Sequence, residues 1–377
     1  MATNSLGPYV PPRNGDWKCV TPAEAGLDPS RLSAAVEFAI AHETVWPRGF
    51  YLPDGRYAPL MEWNESGPWS EIVGPVRERG GPAGLILRGG RIAAEWGDTA
   101  RADMSFSIAK SYLAVLAGIA FDEGRIKDVN EPVRGTVDSP LFADGRNSQI
   151  TWRHLLQQSS EWSGDLFGKS DQVDHFRQIG PGADNSRKGE RRELQAPGSL
   201  YEYNDVRVNL LSYSLMLLFG RSLPEVLRER VMDPIGASDE WEWLGYSSSW
   251  VDIGGARLQS VPGGSHWGGG LFMGARDHAR FGLLMARRGV WGSRRILSEE
   301  WVDAMLDPSP TLANYGFLWW LNHPATAMSD LSVSSFHALG AGSNLIWVHP
   351  GHDLVVVLRW IQGGAIDGFL SRLLPAQ

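Results

Sequence analysis

Cysteine is nearly absent from the 377 residues: Cys19 is the only one. An intrachain disulfide and a cysteine-built zinc site are therefore excluded. Lysine is scarce too, with only Lys18, Lys110, Lys127, Lys169 and Lys188. No basic run is long; the densest, "RKGERR" (Arg187–Arg192), reads as a solvated loop. A net charge of −8 disfavours nucleic acid and anionic membranes as partners. The longest apolar stretch, Tyr112–Phe121, is too short to cross a bilayer. The opening "MATNSLGPYVPPRNGDW" has neither the charged nor the apolar segment of a secretory signal. The expectation is a cytoplasmic protein that acts on a small molecule, with oligomeric state open and a homodimer as one option. The histidines and carboxylates show no trustworthy metal-ligand spacing, and phosphate-cradling glycine motifs are missing. No metal and no cofactor are expected.

Tryptophan, in contrast, is abundant, with 17 residues. Residues 1–22 read as an irregular Pro/Gly-rich arm, and 23–377 as one domain. "DPSRLSAAVEFAIAHE" (Asp28–Glu43) has helical periodicity and an Asp start signal. Trp46–Gly81 is Pro-, Gly- and Trp-rich and reads as a long insertion or surface loop. Short apolar runs around Arg88-Gly89-Gly90, and again around His349-Pro350-Gly351-His352, predict two hairpins. Strands at both ends of the chain with helical patterns between them predict an α/β (α+β) fold. One antiparallel sheet of five or more strands, flanked by terminal helices, would span about 23–104 and 271–377. A helical lobe would be inserted between them over about 105–270.

Within "MSFSIAKSYLAVLAGIAFDEGRI" (Met104–Ile126), Ser107 stands three residues before Lys110 at the head of an apolar helix. Residues three apart on a helix are neighbours. A serine hydroxyl needs a base to attack at neutral pH. A desolvated lysine can serve as that base when neutral, or as a cation that readies another base. The helix N-terminus adds free N–H groups for a developing oxyanion. The plain alternative makes Ser107 a helix cap and lets Lys110 reach solvent. Spacing alone decides little, since serine is common; the absence of any polar face on this helix favours the catalytic reading. A second element, "PGSLYEYNDVRVNLL", carries Tyr203 ahead of another apolar helix. Either Asn204 or Asp205 caps that helix and the tyrosines are core, or Tyr203 lies beside Lys110, whose ammonium would ready it as a proton acceptor.

These segments resemble the serine β-lactamase and penicillin-binding-protein superfamily. The nearest branch holds class C β-lactamases, D-alanyl-D-alanine carboxypeptidases, β-lactamase-like esterases and 6-aminohexanoate-dimer hydrolases. The resemblance runs from about Ala23 to Trp360, through "FSIAKS", "ITWRHLLQQSS", "PGSLYEYND" and "GGLFMGARDHARFGLLMARRGVW". It implies that Ser107 is acylated, that Lys110 shares its proton, and that Tyr203 is the base in acylation and the acid toward the leaving group. Two departures stand out. Asp205 falls where the family has an asparagine. In "SFHALGAGSNLIWVHP" the family's basic third element becomes Ala338-Leu339-Gly340, with Ala341 N–H as oxyanion partner. A one-residue shift would instead place His337 there, and in a strand such a shift exchanges faces. Asp205 is expected close to the substrate, where it would repel an anionic ligand and meet a cationic one.

Trp267, Trp319 and other tryptophans are candidate pocket walls, although most tryptophan area is core. "GGSHWGGG" (Gly263–Gly270) is either a loop whose backbone closely approaches a ligand or, more plainly, a flexible turn. The sequence reading is a serine hydrolase acting through an acyl-enzyme on a small ester or linear amide. Its rivals are an acyltransferase, a β-lactamase or carboxypeptidase, and a catalytically silent binding protein. The last has no use for a buried lysine.

Overall fold

The computed structural model describes residues 9–13, 16–65, 69–180, 182–322 and 334–374. The apolar runs at the two ends of the chain pair with each other. Strands β1 (Ala83–Arg88) and β2 (Arg91–Trp96) join β3 (Trp320–Leu321), β4 (Phe336–Gly340), β5 (Asn344–His349) and β6 (Leu354–Arg359). The spatial order is β3-β4-β5-β6-β1-β2, antiparallel throughout. Both expected hairpins form. Gly89 and Gly90, at φ of 59° and 77°, supply the left-handed pair that a tight two-residue turn needs.

Every residue of β1, β5 and β6 is buried, so these strands read as unbroken apolar runs, as expected when both sheet faces are covered. Their alternate residues divide between two cores. Ile86, Leu345, Trp347, Val356 and Leu358 pack with helices α1 (Pro29–Ala41) and α5 (Ile366–Leu373). Leu85, Leu87, Ile346, Val348, Val355 and Val357 pack with α2 (Ile108–Asp122) and α4 (Ala275–Ala286). Asp28 starts α1 by accepting hydrogen bonds from the Ser30 and Arg31 amides, with Pro29 at the first helical position, where its missing N–H costs nothing. Residues Ile108 to Ala120 of α2 are all buried; a helix apolar on every side belongs inside the protein. Helix α3 (Asp205–Phe219) packs against α2. The sequence-based expectation of an antiparallel sheet, terminal helices and an inserted helical part is met. No single helix among the described residues is long and apolar enough to cross a membrane.

Two readings need correction. The surface-loop reading of Trp46–Gly81 does not hold for Trp46, Phe50 and Tyr57, which are buried in a cluster with Phe106, Trp267, Phe272 and Trp360. In "RKGERR", Lys188 is buried against Glu65 at 2.5 Å and Asp174 at 3.2 Å. Arg192 is likewise held by Glu161 and Glu202. A basic run looks solvated until acids distant in sequence fold around it.

Candidate active site

The turn before α2 is held from below. Arg359 Nη2 donates to the Met104 carbonyl at 2.9 Å and Trp360 Nε1 to Asp103 Oδ2 at 2.7 Å. Ser105 Oγ and His278 Nε2 lie 2.8 Å apart, and His278 Nδ1 and the Tyr112 hydroxyl 2.9 Å apart. Burial, with Arg359 nearby, keeps His278 well below the ordinary histidine value, so it is neutral. Phe106 then adopts φ +47°, uncommon for a bulky residue. Its ring is packed edge-on by Trp46, Phe50 and Trp360, two of them from the Trp46–Gly81 segment. Ser107 follows at the N-cap position of α2, yet its side chain makes no capping hydrogen bond. The hydroxyl is left for Lys110.

Lys110 Nζ donates to Ser107 Oγ at 2.9 Å and to Asp205 Oδ1 at 2.6 Å. It sits 4.7 Å from the centre of the Tyr203 ring. The lysine is 2% exposed, so the solvent-reaching alternative fails. Burial alone would lower its pKa; Asp205 and Tyr203 outweigh that and hold it above the ordinary lysine value. Of the two roles open to Lys110, the structure supports the cation. Asn204 caps α3 by accepting from the Arg207 amide at 3.1 Å, and this releases Asp205 toward Lys110. Arg177 Nη1 binds the other Asp205 oxygen at 2.7 Å and Asp174 at 3.2 Å. It also stands 5.1 Å from the Tyr203 ring centre. Burial would raise the Asp205 pKa, but Arg177 and Lys110 drive it well below the carboxylate range.

The far wall is β4 and the turn after it. A Cβ added at Gly340 would come within 2.2 Å of the Ser105 carbonyl, so only glycine lets this strand reach the Ser107 turn. That contact matches the Ala338-Leu339-Gly340 alignment. Ser107, Tyr203, Leu339, Gly340, Ala341, Arg177 and Trp320 share one cleft of about 300 Å³. The "GGSHWGGG" segment closes the opposite side. A Cβ on Gly264 would lie 2.9 Å from both Ser107 Oγ and Lys110 Nζ; the plain reading as a flexible turn gives way to close backbone approach.

Four candidates are placed differently from expectation. His337 is buried, stacks on Trp320 at 6.5 Å and lies outside the cleft lining; burial lowers it to about 4. Trp319 is fully buried in the core between Phe281 and Phe336. Its neighbour Trp320 faces the cleft and stacks on Tyr203, the expected result of strand alternation. Trp267 packs beside Tyr57 away from the cleft. Asp205 is not part of the cleft lining, and with a cation on each oxygen its charge is spent. The expected repulsion of anionic ligands by Asp205 therefore does not hold. Sequence reasoning missed Arg177 and Glu62, whose positions carry no local motif. It also missed the buried group of Glu65, Asp174 and His266, whose ligand atoms lie within 4.8 Å of one another. Lys188 and Arg177 already hold those two acids, so the group balances charge without requiring a metal ion.

The Beta-lactamase family model matches residues 72–360. The chain belongs to the β-lactamase family. Its match spans both hairpins, the Ser107 helix and the Tyr203 segment. Solved structures share the fold at low identity. A β-lactamase from Mycobacterium bovis is 19% identical, over 78% of this chain and 95% of that one, with a TM-score of 0.52. A Bacillus anthracis protein provisionally named 6-aminohexanoate-dimer hydrolase is 18% identical, over 77% of each chain, with a TM-score of 0.53. EstCE1, a hydrolase with promiscuous acyltransferase activity, is 14% identical, over 91% of this chain and 97% of that one, with a TM-score of 0.58.

Proposed function

We propose that this β-lactamase-family member is a serine hydrolase that cleaves a small ester or linear amide through an acyl-enzyme on Ser107. The observation that carries this reading is the 2.9 Å contact between Ser107 Oγ, on the wall of an open cleft, and the buried Lys110. Lys110 holds its charge through Asp205 and so is not the base. Tyr203, whose ring the ammonium contacts, takes the serine proton as Oγ attacks the carbonyl carbon. The carbonyl oxygen becomes an oxyanion, received by the Ser107 and Ala341 N–H groups. Tyr203 then passes the proton to the departing alcohol or amine as the bond to the acyl carbon breaks. Water then attacks the acyl carbon and gives a proton to Tyr203; the bond from that carbon to Ser107 Oγ breaks, Tyr203 returns the proton to Oγ, and the acid leaves.

The ester or linear-amide preference rests on the third element. Ala338 stands where the family has a basic grip for the β-lactam carboxylate, and it is buried in the core while the neighbouring Leu339 lines the cleft. Arg177, which also lines the cleft, is tied to Asp174 and Asp205. A fluorophosphonate probe followed by peptide mass mapping tests the nucleophile, and Ser107→Ala should abolish both labelling and p-nitrophenyl ester turnover. Wild-type protein should hydrolyse short p-nitrophenyl esters much faster than benzylpenicillin. An adduct on a residue other than Ser107 refutes the nucleophile, and penicillin turnover matching that of esters refutes the substrate class.

A further inference from the structure

The cleft forks around Tyr203 and Trp320. One arm contains Ser107 and runs along Leu339, Gly340, Ala341 and Ile366. The other, about 790 Å³, reaches Tyr203 from the side of Phe176, Leu312 and Asn314 without touching Ser107. If Tyr203 protonates the leaving group, as proposed above, the second arm takes that group and the first takes the acyl part. In the acyl arm Ile179, Leu339 and Ile366 supply apolar wall beside the paired Arg177, and among the described residues its one carboxyl group is that of Glu62.

Glu62 ends the short helix Ala58–Glu62 within the segment that packs over Phe106. One of its oxygens accepts a hydrogen bond from Trp46 Nε1, which orients the group without neutralising it. Among the described residues no basic side chain forms an ion pair with it. Burial raises the Glu62 carboxyl above its ordinary value, only partly offset by the Trp46 hydrogen bond, as befits an acid with no cation beside it, whereas Asp205, Asp174 and Glu65 behind it each have one. A few polar groups set in an apolar pocket fix which ligand is held and in which orientation.

We infer that Glu62 selects substrates whose acyl chain carries an ammonium group, with the methylenes lying along Ile179, Leu339 and Ile366. The inference rests on the hydrolase reading for its orientation, but not for its test. The measurement is kcat/KM for p-nitrophenyl esters of β-alanine and 6-aminohexanoic acid, each divided by that for its neutral isostere, the butyrate or the heptanoate. Within one variant this ratio is independent of the folded fraction. Charged hydrogen-bonded contacts contribute enough that at least one ratio should exceed about tenfold in the wild type. It should fall toward unity in Glu62→Gln and below unity in Glu62→Lys. Ratios near unity in the wild type, or ratios unmoved by Glu62→Gln, overturn the proposal. If no ester is turned over, the hydrolase reading fails, and calorimetry on Ser107→Ala with 6-aminohexanamide and heptanamide decides for Glu62. Tighter binding of the ammonium amide, lost in Ser107→Ala/Glu62→Gln, supports it; equal binding overturns it.

Discussion

Asp205→Asn removes one charge from a buried cluster and should cost more than any surface ion pair. In the native protein both Asp205 oxygens are engaged, by Lys110 at 2.6 Å and Arg177 at 2.7 Å. After the substitution Arg177 still has Asp174 at 3.2 Å. Lys110 then has the Ser107 hydroxyl, the Tyr203 ring and a neutral amide oxygen at position 205, none of them a counter-ion. Leaving a buried charge without its partner typically costs about 3–5 kcal/mol. Lys110 can limit the damage by releasing its proton, which for an ordinary lysine at pH 7 costs about 5 kcal/mol. The two routes agree in size, so a loss of about 3–5 kcal/mol at pH 7 is expected from urea unfolding. The pH dependence tests the mechanism. The wild-type Lys110 pKa lies above its unfolded value, so its contribution is complete below about pH 10 and disappears as pH climbs through the folded value. The Asp205 pKa lies below its unfolded value; its contribution is present above about pH 4 and lost as pH falls through the folded value. In Asp205→Asn, burial pulls Lys110 below its unfolded pKa, so the folded form binds fewer protons and stability rises with pH. The deficit against wild type should shrink between neutrality and about pH 10, by at most about 1.4 kcal/mol per pH unit. A deficit under about 1 kcal/mol that stays constant over that range would refute the claim that Lys110 depends on Asp205 for its charge.

Lys110→Ala and Tyr203→Phe should each lower ester kcat/KM by about 100-fold or more, with the double variant little worse than the poorer single one. Additive losses would show that the two serve separate steps. Gly340→Ala drives a methyl group against the Ser105 carbonyl and should cost about 1–3 kcal/mol by thermal or urea unfolding. It should also lower fluorophosphonate labelling of Ser107; native stability with native labelling would mean that β4 does not need to approach so closely.

Local pattern was enough for several features. The two hairpins, the α1 start at Asp28 and the wholly buried α2 follow from spacing and turn residues, because they depend on neighbours within a few positions. That Ser107 and Lys110 are neighbours was legible for the same reason, since one helical turn separates them, and the wholly apolar helix around Lys110 is what singled the pair out. Tyr203 was legible only through resemblance, since its own segment admitted a plain cap-and-core account. Asp205 shows where such reasoning stops. Its identity as an acid is in the sequence, but whether that charge faces a ligand or is consumed depends on Arg177, which lies 28 residues earlier. Trp319 and Trp320 are adjacent and chemically alike; strand alternation separates them, yet only pairing with β4 decides which one faces the cleft. The Trp46–Gly81 segment carries no periodic signal, and the burial of its Trp46 and Phe50 against Phe106, with Glu62 brought to the cleft, is a product of tertiary packing. Composition and short-range spacing determined which chemistry the chain can carry. Where each charge ends up, paired in the interior or open to a substrate, was decided by elements distant in sequence, because Coulomb and desolvation energies depend on distance in space.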